Sequence, residues 1–176
     1  DARMSGCELP VVIVTGSGNQ GITASVPVIR YAKHIGASDE RLYRALLVSD
    51  LVTIHQKTGI GRLSAYCGAV SAGCGAGAGI AYLLGGDYRA IAHTIVNAVA
   101  ILSGTICDGA KPSCAAKIAG ILGYYMYVND QQFRGGDGIV AKGVENTIRN
   151  VGLLASQGMK QTDRVILNIM TGDQCL

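Results

Sequence analysis

The sequence predicts an all-α domain, a single bundle of about seven helices rich in glycine and alanine. Three observations carry this. From Ile22 onward, apolar residues recur at helical spacing. Capping residues and glycine stops punctuate the chain at helix lengths. The one short β-branched run, Val11 to Val14, is too short to settle between a strand and an extended segment.

The elements follow in order. Thr15-Gly16-Ser17-Gly18-Asn19-Gln20-Gly21 reads as a loop, because its three glycines break either regular structure. Ile22 to Ile35 reads as a helix, with Pro27 near its start or kinking it and Gly36 as its stop. Ser38-Asp39-Glu40 opens the next, a capping hydroxyl followed by two acids. That helix runs through Leu42, Leu46, Val48, Leu51, Val52 and Ile54 to about Lys57, and Gly59 ends it. A small-residue helix from Ser64 to Leu84 is closed by Gly85-Gly86, and Asp87 caps a fourth through Ile91, Ile95, Val99 and Leu102. Pro112 suits the first turn of a fifth helix, reaching roughly Val128. Asn129 to Gly138 is polar and glycine-rich, hence a loop. Val140, Val144, Ile148 and Val151 share a helical face, and Thr162 or Asp163 begins a last short helix.

With 176 residues the chain is read as one domain, residues 1–176. Its start at Asp1 without methionine predicts a piece of a longer protein. Hydrophobic residues make up 49% and charged residues 15%, which leaves surface to be covered by a missing domain or a second subunit. The net charge of +3 is scattered without a basic run, which argues against a nucleic-acid partner. Residues 63–86 carry no charge but hold seven glycines and lack aromatic belts, so a close-packed buried helix is expected, not a membrane span. It is expected to be the most buried helix, with Gly73 and Gly77 among its close contacts. Six cysteines without secretory features point to reduced thiols in a cytoplasmic setting, where they serve more often as ligands or nucleophiles than as bridges.

Two constellations can carry chemistry. The loop Thr15–Gly21 leads into a helix, so its backbone N–H groups suit a carboxylate or phosphate, with Ser17, Asn19 and Gln20 adding donors. It is neither a Walker loop nor a dinucleotide fingerprint. It is similar to the Ser-x-Gly-Asn loop of pyridoxal-phosphate enzymes, but the upstream aldimine lysine and α/β fold are missing, so no pyridoxal phosphate is expected. The plain alternative is a connecting loop. The second constellation is Cys67, Cys74, Cys107 and Cys114. Cys67 and Cys74 stand roughly 10 Å apart along a helix axis, so at most one of them joins a single cluster. Cys107 and Cys114 are joined by a loop, and Cys114 sits at a helix N-terminus, where the dipole favours thiolate. Three thiolates would leave one iron of a [4Fe–4S] cluster open as a Lewis acid. Otherwise these are small buried hydrophobes. Of the polar residues set in apolar helices, His55, His93, Asn97, Lys111 and Lys117, His93 and Asn97 share a face.

Ser17-Gly18-Asn19-Gln20-Gly21, the stretch Cys67 to Gly79, Cys107-Asp108-Gly109-Ala110-Lys111-Pro112-Ser113-Cys114 and Gly136-Asp137-Gly138-Ile139-Val140 together resemble the C-terminal half of L-cysteine desulfidase-like proteins. These are relatives of the α domain of iron–sulfur L-serine dehydratase, and the resemblance covers nearly the whole chain. It implies an all-helical domain holding an oxygen-sensitive [4Fe–4S] cluster. It also implies pyridoxal-independent β-elimination from a small L-amino acid, giving pyruvate, ammonia and, from cysteine, sulfide. By position, Cys67 and Cys107 match the two motif cysteines. Cys114 is the candidate for the third, although the dehydratase spacing there is longer, and a ligand from the absent N-terminal half is the other source. The glycine loop, Ser17 to Gly21, matches the segment that holds the substrate's carboxylate and amino group.

The expected function is therefore an L-cysteine desulfidase or L-serine dehydratase domain, working with its N-terminal half and as a homo-oligomer. Lys111 and His93 are the candidates for the α-proton base. The competing expectation is a non-catalytic ligand-sensing or assembly domain with inert buried cysteines.

Overall fold

The computed structural model describes residues 7–61, 64, 66–102, 136 and 138–171. These residues form six α-helices: α1 (Gly18–His34), α2 (Asp39–Ile60), α3 (Gly68–Leu83), α4 (Tyr88–Leu102), α5 (Val144–Leu153) and α6 (Lys160–Thr171). A π-helical turn, Leu154–Gly158, joins the last two. The described residues contain no strand, only one isolated bridge between Val14 and Ser17. The expected fifth helix around 112–128 and most of the loop before Gly138 lie outside the described residues.

Cap chemistry sets the boundaries. Ser17 accepts the Gln20 N–H at 3.3 Å, so α1 starts at Gly18, four residues before the expected Ile22. Gly18, Asn19, Gln20 and Gly21 are thus the first helical turn and not a loop, which corrects the expectation. Ser38 caps α2 by accepting the Arg41 N–H at 3.4 Å. That helix passes the expected stop, Gly59, and ends before Gly61, whose φ of +91° is the left-handed conformation that glycine supplies. The small-residue helix starts at Gly68, later than the expected Ser64, with Cys67 at its N-cap. In front of α4, the Asp87 carboxylate accepts the Ala90 N–H at 2.9 Å.

α3 is central and packs against α1, α2 and α4, with α5 set across α2 and α4. The face that α2 turns inward is small and polar: Ala45, Ser49, Thr53, Gln56, Lys57 and Ile60 are buried. Tyr43, Leu47, Leu51 and Ile54 stand out in solvent instead, with Leu51 62% exposed. The cause is the glycine surface of α3. A side chain on Gly75 would run into the Thr53 hydroxyl and the Ser49 carbonyl, and a β-carbon on Gly79 would stand 2.8 Å from the Ala45 carbonyl oxygen. Backbones this close admit only alanine, serine and threonine between them. The hydroxyls are satisfied internally, Ser49 donating to the Ala24 carbonyl at 2.7 Å and Thr53 to the Ser49 carbonyl at 2.8 Å. The close contacts are therefore Gly75 and Gly79. At Gly77 an added carbon meets Thr94 at an ordinary 3.4 Å, and at Gly73 it meets no described atom within 4 Å, which corrects the expectation for those two. At the far end of α2, Gly59 crosses Gly152 of α5, where a carbon on Gly152 would lie 3.0 Å from the Gly59 Cα.

One apolar cluster joins Ile60, Cys74, Ile95, Val99, Ile148 and Val151, and a second joins Val28, Ala32, Ala45, Ala76 and Leu83. Among the described residues no helix is long and apolar enough to cross a membrane.

Candidate functional site

Three helix ends meet at the first turn of α3. From α1, the Gln20 side chain is buried (5% exposed), and its amide lies over Gly68 so closely that a β-carbon there would overlap it. Gln20 Oε1 also receives the Thr15 hydroxyl. Thr15 has φ +62°, a strained conformation for a β-branched residue, and sits in a three-residue turn closed by Gly16 N–H to the Val14 carbonyl at 2.9 Å. From α2, the Gln56 amide donates to the Ser71 carbonyl at 3.5 Å and to the Val52 carbonyl at 3.3 Å. The next residue, Lys57, is only 6% exposed. It makes no hydrogen bond or ion pair among the described residues. Burial pushes its ammonium below the usual lysine range, and the nearby charge of Cys67 opposes that shift. From α3 itself come Cys67, exposed at the N-cap with no hydrogen bond from its side chain to the helix, and Ser71, whose N–H bonds the Cys67 carbonyl at 3.0 Å.

The glycine segment is only partly open. Ser17 and Asn19 are half-buried, whereas Gly18, Gln20 and Gly21 are buried. A side chain on Gly21 would run into the Val12 carbonyl, so the chain's own N-terminal segment covers that position. The Gln20 N–H is taken by the Ser17 hydroxyl, which leaves the anion-binding capacity of this terminus with the residues before it.

The two cysteines of α3 differ in kind. Cys74 is buried among Tyr66, Ile95 and Val99, and burial pushes its thiol up to about 12, with a hydrogen bond to Gln56 opposing. It stays protonated and is unsuited to bind a metal. Cys67 is exposed at the N-terminal end of α3, so unlike Cys74 its sulfur is open to a ligand. Among the described residues no three His, Cys, Asp or Glu side chains gather as a metal site. Further ligands would have to come from beyond them; Cys107, Cys114 and the base candidate Lys111 lie outside the described residues. The other base candidate, His93, is half-buried on α4. Asn97, four residues on, is buried, with neither amide atom bonded among the described residues. Among the described residues neither His93 nor Asn97 bonds to Cys67 or Gln20. His55 lies on the surface, paired with Glu145 of α5 at 2.8 Å.

Lys57 was not among the sequence candidates. Its signal is the stripe Ala45, Ser49, Thr53, Lys57, spaced by four, which follows the buried face of α2 more faithfully than the leucines do.

A family model described as serine dehydratase alpha chain matches residues 1–168. A UPF0597 protein of Desulfitobacterium hafniense is 69% identical over 180 residues, covering 99% of this chain and 42% of its own length. Those of Treponema denticola and Lachnoclostridium phytofermentans are 52% and 54% identical, covering 98% and 97% of this chain. The chain thus spans about two-fifths of the length of these relatives, 41% to 42%. No solved structure matches it.

Proposed function

Because the chain belongs to the serine dehydratase alpha-chain family, we propose that it is the helical domain of an iron–sulfur-dependent lyase. Its substrate is a small L-amino acid, L-serine or L-cysteine, from which β-elimination releases pyruvate and ammonia, with sulfide in the second case. The observation that supports this most is the meeting of the two helix N-termini. Gln20 of the glycine segment rests on Gly68, the residue after the exposed Cys67. The glycine segment and the exposed cysteine thus adjoin, which supports a single site that uses both.

In this reading Cys67, with Cys107 and Cys114, holds a [4Fe–4S] cluster, which when bound supplies a Lewis-acidic iron to the leaving hydroxyl or thiol. The chain's own residues do the rest. Ser17 and the first N–H groups of α1 orient the substrate carboxylate. Gln20, fixed by Thr15, keeps α1 seated on the first turn of α3. A base, with Lys111 and His93 as candidates, removes the α-proton. Residues 1–176 act as one unit in a reducing, cytoplasmic setting. The rest of a longer protein covers part of its surface, a reading supported by the solvent-exposed Tyr43, Leu47, Leu51 and Ile54 on α2.

The test is anaerobic purification of the full-length protein, followed by iron and acid-labile sulfide analysis and assay of pyruvate release from both amino acids. Cys67→Ser and Cys107→Ser are each expected to lose iron and activity together. Retention of both properties in either variant would refute the assignment of that cysteine, and absence of iron from the wild type would refute the cluster.

A further inference from the structure

α3 starts without a cap of its own. Ser17, Ser38 and Asp87 each begin a helix by accepting a backbone N–H of the first turn, at α1, α2 and α4. Cys67 holds the same position before α3, with φ −57° and ψ 112°, but its side chain makes no capping bond. A helix start without a local cap frays unless a neighbour holds it. The neighbour here is Gln20 of α1, whose amide rests on Gly68, the first residue of α3.

Gln20 is held as firmly as it holds. It is 5% exposed, and a β-carbon on Gly68 would stand 2.7 Å from its Cδ and 3.1 Å from its Oε1. The end of a flexible side chain ordinarily swings away from such an atom. This one is tied, because its Oε1 receives the Thr15 hydroxyl and its own N–H is taken by the Ser17 hydroxyl at 3.3 Å. Thr15 in turn has φ +62°, which a β-branched residue rarely adopts, and in that conformation its hydroxyl reaches the amide. A close helix contact needs no amide, since Ala45 and Ser49 serve against Gly79 and Gly75. Burying a long amide is costly unless it is bonded, and here the bond comes from a strained residue. The junction of α1 with α3 is thus built for a fixed direction as well as for contact.

We propose that Gln20 is a positioning residue: seated on Gly68 and latched by Thr15, it fixes the first turn of α3 and with it the direction in which the Cys67 sulfur is presented. This rests on the reading of Cys67 as a cluster ligand given above and deepens it, because it names what orients that ligand. Gln20 acts through the backbone of Gly68 and touches no reacting atom. One amide then explains two requirements, that position 68 stay glycine and that position 15 keep a hydroxyl.

The test uses the full-length protein, purified anaerobically and analysed for iron, as wild type, Gln20→Ala, Thr15→Val, Thr15→Ser and Gly68→Ala. After chelation of iron, the rate at which iodoacetamide alkylates Cys67 is measured by peptide mass spectrometry against that of Cys7, which is also exposed. A loosened first turn presents the sulfur more often. Gln20→Ala and Thr15→Val are therefore each expected to raise the Cys67 rate at least about threefold, with that of Cys7 unchanged. Thr15→Ser, which keeps the hydroxyl, is expected to stay at the wild-type rate. Gly68→Ala is expected to raise the rate as Gln20→Ala does, and to add nothing in the Gln20→Ala background, since the two changes break one contact. Lower melting temperatures with an unchanged Cys67 rate overturn the proposal, because Gln20 would then serve packing alone. Additive effects of Gln20→Ala and Gly68→Ala overturn it as well. Should Gln20→Ala fail to fold, the contrast between Thr15→Val and Thr15→Ser decides, and equal rates in those two refute the latch. Cys67 rates that follow Gln20 and Thr15 in a protein without iron or pyruvate release leave the seat standing and remove the cluster reading. Iron and pyruvate release in a wild type whose Cys67 rate ignores Gln20 remove the seat alone.

Discussion

Gly79 of α3 passes Ala45 of α2 so closely that a β-carbon on the glycine would stand 2.8 Å from the alanine's carbonyl oxygen. The obstacle is backbone on both sides, so it cannot swing away. Val28 Cγ2 and Ser49 Cβ, at 3.1 and 3.2 Å, close the remaining directions. Gly79→Ala is therefore expected to cost about 1–3 kcal/mol through overpacking, despite alanine's better helix propensity. Gly73→Ala, with no described atom within 4 Å of the added carbon, is expected to be neutral or to gain up to about 1 kcal/mol. Urea midpoints of the two variants check this, and equal midpoints would count against the close crossing.

Stability is expected to fall steeply in alkali. Burial holds the Cys74 thiol up at about 12, and burial together with the charge of Cys74 holds the Tyr66 hydroxyl up at about 12. Above pH 9.0 the unfolded chain releases the cysteine proton, and above 10.0 the tyrosine proton, while the native state keeps both. The unfolded state then binds fewer protons, so stability is fully present below pH 9.0 and is lost toward 12, at about 1.4 kcal/mol per pH unit per group. Cys74→Ala should flatten the part of this decline between pH 9 and 10, measured as the midpoint of urea unfolding against pH.

Asn97 is 2% exposed, and among the described residues neither its amide nitrogen nor its oxygen has a partner. Replacement by leucine, of similar size, removes two unsatisfied groups and is expected to raise stability by roughly 1–3 kcal/mol. A fall in melting temperature would show that the amide is satisfied in solution.

His55 and Glu145 tie α2 to α5 at 2.8 Å, yet both side chains are at least half exposed. Ion pairs of this kind contribute little. Glu145→Gln is expected to shift stability by less than about 1 kcal/mol, by urea titration, far less than Gly79→Ala.

The helical class, the caps at Ser38 and Asp87, and the small-residue centre of α3 were legible because each is written locally, in spacing and capping chemistry. Ser17 was also present as a signal, a hydroxyl three residues before Gln20, but glycine counting outweighed it and hid the first turn of α1. The buried face of α2 was not legible from hydrophobicity. Leu51 and Ile54 belonged to the apolar run that marked the helix, yet the glycines of α3 bring the two backbones too close for them, and the small stripe goes inward. The same effect concealed Lys57, since a lysine near a helix end reads as a solvated charge until the neighbouring helix is in place. Cys67 and Cys74 look alike in sequence, and only the start of α3 at Gly68 sets one outside and the other within. Cys107, Lys111 and Cys114 lie outside the described residues, so the structure adds nothing to what their motif implies.

The crossing of Gly59 and Gly152 has an evolutionary consequence. It is a contact made from missing atoms, and either partner that acquires a side chain meets the other's backbone. No compensating change at the opposite position can restore the fit, because glycine is already the smallest residue. Drift at the two sites should leave no correlated pairs, so covariation would be blind to the contact that fixes where α5 lies on α2, two residues from Lys57.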